Sequence, residues 1–317
     1  MSSAVATGNL GGVAFASRKG RKSFPSPELR DSLFWNYLKQ SVHQSKRRLA
    51  EPVTMKSTPI EMDRGLPSKQ KVGNRPEVVQ SAENGDALPL DHVAIIMDGN
   101  RRWAADRSQP RMMGHKAGVK TLKELVRHVG RLRLKFLTVY AFSSENWQRS
   151  KEEVGFLLDL FQNVLVSELE ELSENNVRLT FLGDLLQLPE NLQASMRRAM
   201  DKTRNNTGLS LQVAINYGSR LEITEAVKKI GAEIAAGRLR VEEITDELIS
   251  SHLYTSDMPD PALLIRTGGE MRLSNYLLWQ AAYTELYVTP TLWPDFTPQA
   301  FDQAITEFCS RQRRWGT

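Results

Sequence analysis

The chain has 317 residues, and its composition, 40% hydrophobic and 25% charged, is typical of a globular protein with a sizeable core. Residues 1–90 hold 14 Lys and Arg against 8 Asp and Glu, so the formal net charge of +5 divides into +6 for this leader and −1 for residues 91–317. A folded body without excess positive charge excludes a general affinity for polyanions, and we expect no nucleic-acid partner. The single cysteine excludes an internal disulfide framework and a Cys-rich zinc site.

The first 27 residues have the composition of a targeting segment. They contain five serines, a basic cluster at residues 18–22 and no acidic residue, a pattern typical of an organellar transit peptide. We therefore expect a location in the chloroplast (plastid stroma), with the cytoplasm or the surface of the endoplasmic reticulum as alternatives. Residues 51–90 are rich in Pro, Gly and Ser, as linkers are. The sequence thus predicts a disordered leader over residues 1–85 and one folded domain over residues 86–317, with the first element beginning near Leu90.

Short apolar runs alternate with amphipathic segments along the body. The apolar runs predict strands over residues 92–97, 136–142, 177–182, 209–217 and 262–266. Helical spacing of apolar residues predicts helices over residues 116–132, 152–175, 189–204, 221–236 and 297–314. This alternation predicts a single α/β domain with a mostly parallel central sheet flanked by helices. In such sheets ligands bind beyond the carboxyl ends of the strands.

Arginine recurs together with Gly, Ser or Asn just after the predicted strands. The segments concerned are residues 98–103, 143–149, 216–220 and 266–275. Arginine grips phosphate oxygens in pairs, and glycine lets backbone N–H groups approach an anion. A single arginine of this kind is more often a surface residue, but its repetition at several strand ends predicts a site for more than one phosphate group.

Two carboxylates stand out against this basic background. Asp98 closes the first predicted strand, and Glu285 lies in the otherwise apolar residues 281–287. An acidic residue in an apolar run needs a partner or a metal, and Mg²⁺ is commonly held by one or two carboxylates plus substrate phosphates. We expect Asp98 and Glu285 to supply a pair of Mg²⁺ ligands, with a salt bridge from Glu285 to a nearby arginine as the alternative.

Five stretches of the body together resemble the cis-prenyltransferase family, the undecaprenyl and dehydrodolichyl diphosphate synthases. They are residues 92–103, 114–118, 140–147, 265–270 and 277–286, in the family's order. The resemblance implies a catalytic domain over residues 86–317 that joins isopentenyl diphosphate to an allylic diphosphate, uses Mg²⁺ as cofactor and forms a new cis double bond. It also implies an apolar product tunnel between the sheet and the helices.

The resemblance assigns expected roles to individual residues. The catalytic candidates are Asp98, Asn146 and Arg149, and the Mg²⁺ ligands are Asp98 and Glu285. The residues expected around the allylic diphosphate are Gly99, Asn100, Arg102, Arg111 and His115. Further substrate-binding candidates are Arg101, Trp103, Ser143, Glu145 and Trp147. The residues that match the family's isopentenyl diphosphate clamp are Arg266, Arg272 and Ser274.

The C-terminal residues Arg314 and Gly316 resemble a family motif that reaches the active site of a neighbouring subunit. Because the catalytic motifs and this tail occur in one chain, we expect a self-sufficient homodimer with no obligatory non-catalytic partner. A non-catalytic binding subunit is disfavoured because such relatives lack the aspartate and the clamp residues.

Three positions depart from the usual bacterial pattern. Arg101 and Ser150 occur where bacterial members usually have Gly and Pro, and this favours a eukaryotic, plant-like branch. Ser219 replaces the second glycine of the usual Asn-Tyr-Gly-Gly-Arg. The sequence gives no account of what this serine does.

Product length is expected to depend on the depth of the tunnel. The candidates for this role are Leu209, which matches a bulky residue at the tunnel floor, and Leu165 on the long predicted helix over residues 152–175. The length of that predicted helix favours a medium-chain cis-polyprenyl diphosphate. The alternatives are a short-chain (C10–C20) synthase for terpenes and a dehydrodolichyl diphosphate synthase of the endoplasmic reticulum. Since a long apolar product must leave towards a bilayer, we expect transient membrane association.

Overall fold

The structure is a computed structural model, and it describes residues 76–85 and 87–312. The predicted transit peptide, most of the predicted leader, Arg314 and Gly316 lie outside the described residues.

Helices and strands alternate along most of the described chain, as the sequence predicts. The elements are α1 (Glu77–Glu83), β1 (His92–Ile96), α2 (Asn100–Asp106), α3 (Arg111–Arg131), β2 (Phe136–Ser143), α4 (Lys151–Glu174), β3 (Arg178–Leu182), α5 (Glu190–Thr203), β4 (Ser210–Tyr217), α6 (Ser219–Ala235), α7 (Asp246–Ser251), β5 (Leu263–Arg266), β6 (Glu285–Val288) and α8 (Pro298–Ser310). Short 3-10 turns occur at Ser144–Gln148, Leu185–Gln187, Val241–Glu243 and Trp293–Asp295.

The six strands form one sheet in the order β3-β4-β2-β1-β5-β6, and every pair of neighbours is parallel. This confirms the prediction of a single α/β domain with a parallel central sheet. The strand order reverses at β1, which lies between β2 and β5. Such a reversal leaves a crevice beyond the carboxyl end of the strand, where α/β proteins bind ligands.

The central strand is buried on both faces, which explains its unbroken apolar sequence. Val93 and Ile95 pack into the larger core with α3, α4 and α8, whereas Ala94 and Ile96 pack into a second cluster on the opposite face. Packing on both faces therefore fixes the position of β1 and of the residues that directly follow it. Within the described residues, we find no helix that is both long enough and apolar enough to cross a membrane.

Several elements were not predicted from the sequence. Helix α1 lies in the predicted linker, yet Val79 and Ala82 are fully buried and the helix packs against α8. Helices α2 and α7 have seven and six residues, too few for a periodic signal. Strand β6 is a half-exposed edge strand of four residues. The last helix ends at Ser310, before the predicted end at residue 314.

Candidate active site

The pairing of β1 with β5 brings Asp98 to the clamp residues that the sequence predicted. Asp98 Oδ2 accepts a hydrogen bond from Arg266 Nη2 at 2.8 Å, and its Oδ1 lies 3.4 Å from Arg102 Nη2. The buried Arg266 donates from Nη1 to Ser274 Oγ at 2.9 Å and to the carbonyl oxygen of Arg272. An arginine fixed on several sides presents a preorganised fork, which suits the recognition of a phosphate group.

Glycines allow the chain after β1 to approach α3 closely. Gly99 turns the chain into α2 with a φ of +113°, a conformation that glycine adopts without strain. A Cβ on Gly114 would lie 1.9 Å from the carbonyl oxygen of Asn100, and a Cβ on Gly118 would lie 2.3 Å from Asn100 Oδ1. Asn100 Nδ2 donates to the carbonyl oxygen of Met97 at 3.2 Å, while Oδ1 is buried without a hydrogen-bond partner in the described part of the chain. The packing therefore leaves one amide oxygen unsatisfied beside Asp98.

Three of the predicted arginines meet at one carboxylate. Glu153 Oε1 lies 2.9 Å from Arg149 Nη1 and 3.9 Å from Arg101 Nε, and its Oε2 lies 3.9 Å from Arg111 Nη1. The sequence analysis missed Glu153, which lies in the first turn of α4, four residues after Arg149. With three guanidinium groups against one partly buried acid, this part of the crevice keeps an excess of positive charge.

His115 lies at the edge of this arginine cluster. Burial lowers its pKa to about 4, and the charge of Arg149 adds to the effect. Its Nε2 atom is buried and has no hydrogen-bond partner among the described residues. The imidazole is therefore neutral at physiological pH.

The loop after β2 is stabilised by its own side chains. Asn146 Oδ1 accepts a hydrogen bond from the backbone N–H of Ser143 at 3.1 Å. The Trp147 indole packs edge-on against Phe142 and donates to Asn216 Oδ1 at 2.7 Å. The three predicted residues of this loop thus set its shape at the carboxyl end of the sheet.

Two further predicted residues bond to other parts of the protein. The indole of Trp103 donates from Nε1 to Asp295 Oδ1 at 2.7 Å. Glu145 Oε1 accepts a hydrogen bond from Asn275 Nδ2 at 2.9 Å. These contacts join the loops after β1 and β2 to the segments that follow β6 and β5.

The structure does not bring Asp98 and Glu285 together within one chain. The strand register aligns Glu285 with Leu263 and so with Val93, five residues before Asp98, which separates the carboxylates by roughly 16 Å along the strand direction. Glu285 Oε2 instead lies 2.9 Å from Arg311 Nη1. The Mg²⁺ pair expected from the sequence is not formed here, and the alternative, a salt bridge to an arginine, is the arrangement observed.

An apolar cavity of about 390 Å³ opens from the crevice and runs between the sheet and helices α3 and α4. It begins beside Asn100 and His115 and extends along α3 to Gly130, roughly 22 Å at 1.5 Å per residue. Its wall is mostly aliphatic and aromatic and includes Leu158, Phe161 and Leu165. A cavity with a cationic mouth and an apolar body fits an amphiphile with a phosphate head and a hydrocarbon tail.

Of the two residues expected to set product length, Leu165 lines the cavity and Leu209 does not. Leu209 is buried in the same core, but it precedes β4, and the wall residues on that face of the strand are Leu211, Val213 and Ile215.

Ion pairs between α3 and α4 close the outer side of the cavity. Lys123 Nζ lies 2.6 Å from Glu168 Oε1, and Arg127 Nη2 donates to Glu171 Oε2 at 2.9 Å. All four residues also line the cavity. The wall between the two helices therefore includes charged side chains at the surface as well as apolar packing.

The residues at the crevice fit a Mg²⁺ ion that is held mainly by substrate. The described residues contain no group of three or more His, Cys, Asp or Glu that would bind a metal by themselves. Mg²⁺ commonly takes one or two carboxylates together with substrate phosphate oxygens. Asp98 has a partly exposed carboxylate, and Asn100, two residues later, has a buried amide oxygen without a hydrogen-bond partner among the described residues. These two residues are the candidates that would hold the ion.

The fold and the crevice suit a phosphorylated amphiphile at the carboxyl end of a parallel sheet, and comparisons with known proteins find similar structures. The crystal structure of lavandulyl diphosphate synthase from Lavandula x intermedia, in complex with dimethylallyl diphosphate, is similar with a TM-score of 0.71 and 38% identity; the match covers 73% of this chain and all of that one. The structure of a probable undecaprenyl diphosphate synthase from Campylobacter jejuni matches with a TM-score of 0.60 and 35% identity over 72% of this chain and 99% of that one.

The sequence comparisons identify the family. Residues 96–316 match the family model described as "Putative undecaprenyl diphosphate synthase". A curated relative, the ditrans,polycis-undecaprenyl-diphosphate synthase ((2E,6E)-farnesyl-diphosphate specific) of Vibrio vulnificus, is 48% identical over 73% of this chain and 92% of its own length. The isoprenyl transferase of Clostridium perfringens is 46% identical over 73% of this chain and 91% of its own length. The chain belongs to the cis-prenyltransferase family, and it is a transferase of prenyl groups that acts in cis-prenyl chain elongation.

Proposed function

We propose that this protein is a Mg²⁺-dependent enzyme that condenses isopentenyl diphosphate onto an allylic diphosphate and makes a medium-chain cis-polyprenyl diphosphate. The observation that carries the reaction is the apolar cavity that begins at Asn100 and His115 and runs roughly 22 Å along α3, whereas the medium chain length is supported by the 48% identity to the undecaprenyl diphosphate synthase of Vibrio vulnificus. An extended isoprene unit spans roughly 5 Å, because it adds four bonds of about 1.5 Å each. The cavity is therefore deeper than a C10 or C15 product requires.

The allylic diphosphate binds at the arginine cluster in this proposal. The charges of Arg149 and Arg101 act on His115, which lines the cavity, and Arg111 shares Glu153 with them. In this scheme the three charges face a diphosphate whose hydrocarbon tail enters the cavity. When the C–O bond to the allylic carbon breaks, negative charge grows on the leaving diphosphate, and guanidinium groups already in place stabilise it. When bound, Mg²⁺ supplies further neutralisation of that charge next to Asp98.

The isopentenyl diphosphate binds at Arg266, Arg272 and Ser274 in the same scheme. The Arg266 fork and the Ser274 hydroxyl are 2.9 Å apart, so both reach one phosphate group. A new C–C bond forms between the two substrates, and a proton leaves the isopentenyl chain. We assign that proton to the Asp98 carboxylate or to an oxygen of the released diphosphate beside it.

A product longer than about C20 exceeds the extended depth of the cavity and has to fold back or pass between α3 and α4. The ion pairs Lys123–Glu168 and Arg127–Glu171 close that route. Partly exposed ion pairs contribute little to stability, so a growing apolar chain can part them. The undecaprenyl diphosphate synthase of Vibrio vulnificus at 48% identity also favours a polyprenyl product, whereas the lavandulyl diphosphate synthase at 38% favours the short-chain alternative. A dehydrodolichyl diphosphate synthase of the endoplasmic reticulum is the remaining alternative.

The assembly and location are part of the proposal. We propose a homodimer in which Arg314 and Gly316 reach the partner subunit's active site, located in the plastid stroma and associated transiently with a membrane when the product leaves. Deletion of residues 314–317 is expected to abolish most turnover while leaving the melting temperature within about 2 °C, since the described fold ends before them. Full activity of that truncated protein would contradict this part of the proposal.

The test of the reaction uses the full chain with Mg²⁺, labelled isopentenyl diphosphate and C10, C15 or C20 allylic diphosphates in turn. A ladder of products that ends near C50–C60 supports the proposal. A single C10–C20 product would move the enzyme to the short-chain alternative. The absence of product with every starter would contradict the proposed function.

A further inference from the structure

The loop that carries Arg272 and Ser274 has an unusual backbone. Three of its residues that are not glycine have positive φ angles: Ser274 at 50°, Asn275 at 59° and Leu277 at 46°. Side chains with a Cβ avoid this left-handed region, and such residues persist when surrounding contacts impose the conformation. The clamp loop therefore depends on contacts from outside itself.

Asn275 supplies three of those contacts. Its Oδ1 accepts from the backbone N–H of Arg220 at 2.9 Å, and its Nδ2 donates to Glu145 Oε1 at 2.9 Å. Its backbone carbonyl accepts from the N–H of Ser219 at 2.8 Å. One side-chain partner is a donor and the other an acceptor, so the orientation of the amide is fixed. Asn275 thus joins the clamp loop to the loops after β2 and β4.

Ser219 supplies a fourth contact from the start of α6. Its side chain is fully buried, and its Oγ accepts a hydrogen bond from the backbone N–H of Leu278 at 3.0 Å. The neighbouring Gly218 makes room for the arrangement, because a Cβ there would lie 2.7 Å from Asn275 Nδ2. A glycine at position 219, the residue that the family usually has, would offer no acceptor to Leu278.

We propose that Ser219 and Asn275 are positioning residues of the isopentenyl diphosphate subsite. They hold the clamp loop so that Ser274 Oγ stays beside the Arg266 guanidinium, without touching the substrate themselves. Burial alone would raise the pKa of Glu145, but its hydrogen bonds, led by the one from Asn275, lower it instead, which agrees with a carboxylate held in its charged form by this contact. The inference rests on the proposed function, since it assigns this loop to isopentenyl diphosphate.

The test compares the KM for each substrate in the full-length wild type, S219G and S219A. Loss of one hydrogen bond to the loop is expected to raise the KM for isopentenyl diphosphate roughly threefold to tenfold, while the KM for farnesyl diphosphate and kcat stay within twofold. S219A keeps the Cβ and removes only the acceptor, so it should match S219G. Hydrogen exchange of residues 272–278 should accelerate in both variants. The matched control is S310G, which removes an exposed hydroxyl that donates to the Glu307 carbonyl at 2.7 Å and should change neither KM.

A second variant tests Asn275 through its contact with Glu145. N275D turns the donor into a carboxylate that faces another carboxylate, and we expect the KM for isopentenyl diphosphate to rise roughly tenfold to a hundredfold. Combining N275D with E145Q restores a donor and an acceptor with their roles exchanged, and the KM should return towards that of E145Q alone.

The outcomes separate the inference from the proposed function. An active wild type whose folded S219G, S219A and N275D variants keep the KM for isopentenyl diphosphate within twofold would overturn the positioning role. An equal rise in the KM of both substrates would overturn it as well, because that result indicates general loosening of the fold. A wild type that is inactive with every starter would overturn the proposed function, and with it the assignment of isopentenyl diphosphate to this loop.

Discussion

Because α2 lies close to α3 at Gly118, the substitution Gly118→Ala tests the packing of these two helices beside the crevice. The added Cβ would lie 2.3 Å from Asn100 Oδ1 and 2.8 Å from Trp293 Cδ1, whereas ordinary contacts begin near 3.4 Å. The Asn100 amide must therefore move by about 1 Å and the Trp293 ring by about 0.6 Å, and overpacking of this kind costs about 1–3 kcal/mol in the free energy of unfolding.

The same displacement acts on activity, because Asn100 lies next to Asp98 in the crevice. A shift of about 1 Å at a reacting centre can lower the rate roughly a hundredfold. We expect urea unfolding to show the loss of stability and steady-state kinetics to show a kcat/KM lowered by roughly two orders of magnitude.

The chain offers matched controls for this substitution. Gly155 on α4 and Gly231 on α6 are also helical glycines, and a Cβ at either position meets no atom within 4 Å. Gly155→Ala and Gly231→Ala are therefore expected to stabilise the protein by about 0.4–1 kcal/mol and to leave kcat/KM unchanged. A Gly118→Ala variant as stable and as active as these controls would refute the proposed packing of α2 on α3.

Three further predictions concern the reaction, the product and pH. Asp98→Asn should lower kcat roughly 10²- to 10³-fold while the far-ultraviolet circular dichroism stays that of the wild type; near-normal turnover would remove Asp98 from the chemistry. Leu165→Ala should lengthen the products by at least one isoprene unit in a chain-length assay, and Leu209→Ala should lengthen them less, because only Leu165 lines the cavity; the opposite order would contradict the cavity assignment. Burial lowers the pKa of His92 to about 4, against 6.5 in the unfolded chain. The contribution of His92 to the free energy of unfolding is therefore full above pH 6.5. It is lost as the pH falls towards 4, because the unfolded chain takes up the proton first. The free energy of unfolding, measured with urea, should differ between pH 7 and pH 5 by about 2 kcal/mol less in His92→Gln than in the wild type. An unchanged difference would show that His92 does not cause this pH dependence.

The parallel sheet and the cationic crevice were predictable because each has a local signal. β1 has an unbroken apolar sequence because it is buried on both faces, and Asp98 follows it directly. The arginines after the strands meet because parallel strands place their carboxyl ends at one edge of the sheet. The resemblance to the cis-prenyltransferases added the roles of these residues, which the pattern alone left open.

What the sequence did not predict depends on contacts between distant segments. The chemistry of Glu285 is visible in the sequence, but its distance from Asp98 is set by the register of β5 on β6. Leu209 and Leu211 lie on the same face of one extended segment, and only the depth of the cavity decides which of them forms its wall. The partner of Ser219 is a backbone N–H in a loop whose shape has no sequence signal.

The most direct test of the central claim is a crystal structure of the full chain with Mg²⁺ and an unreactive thio analogue of farnesyl diphosphate. We predict a diphosphate beside Asp98 and Asn100, with the hydrocarbon tail inside the cavity against Leu165. A diphosphate bound away from Asp98, or a tail that lies outside the cavity between the sheet and α3 and α4, would contradict the account.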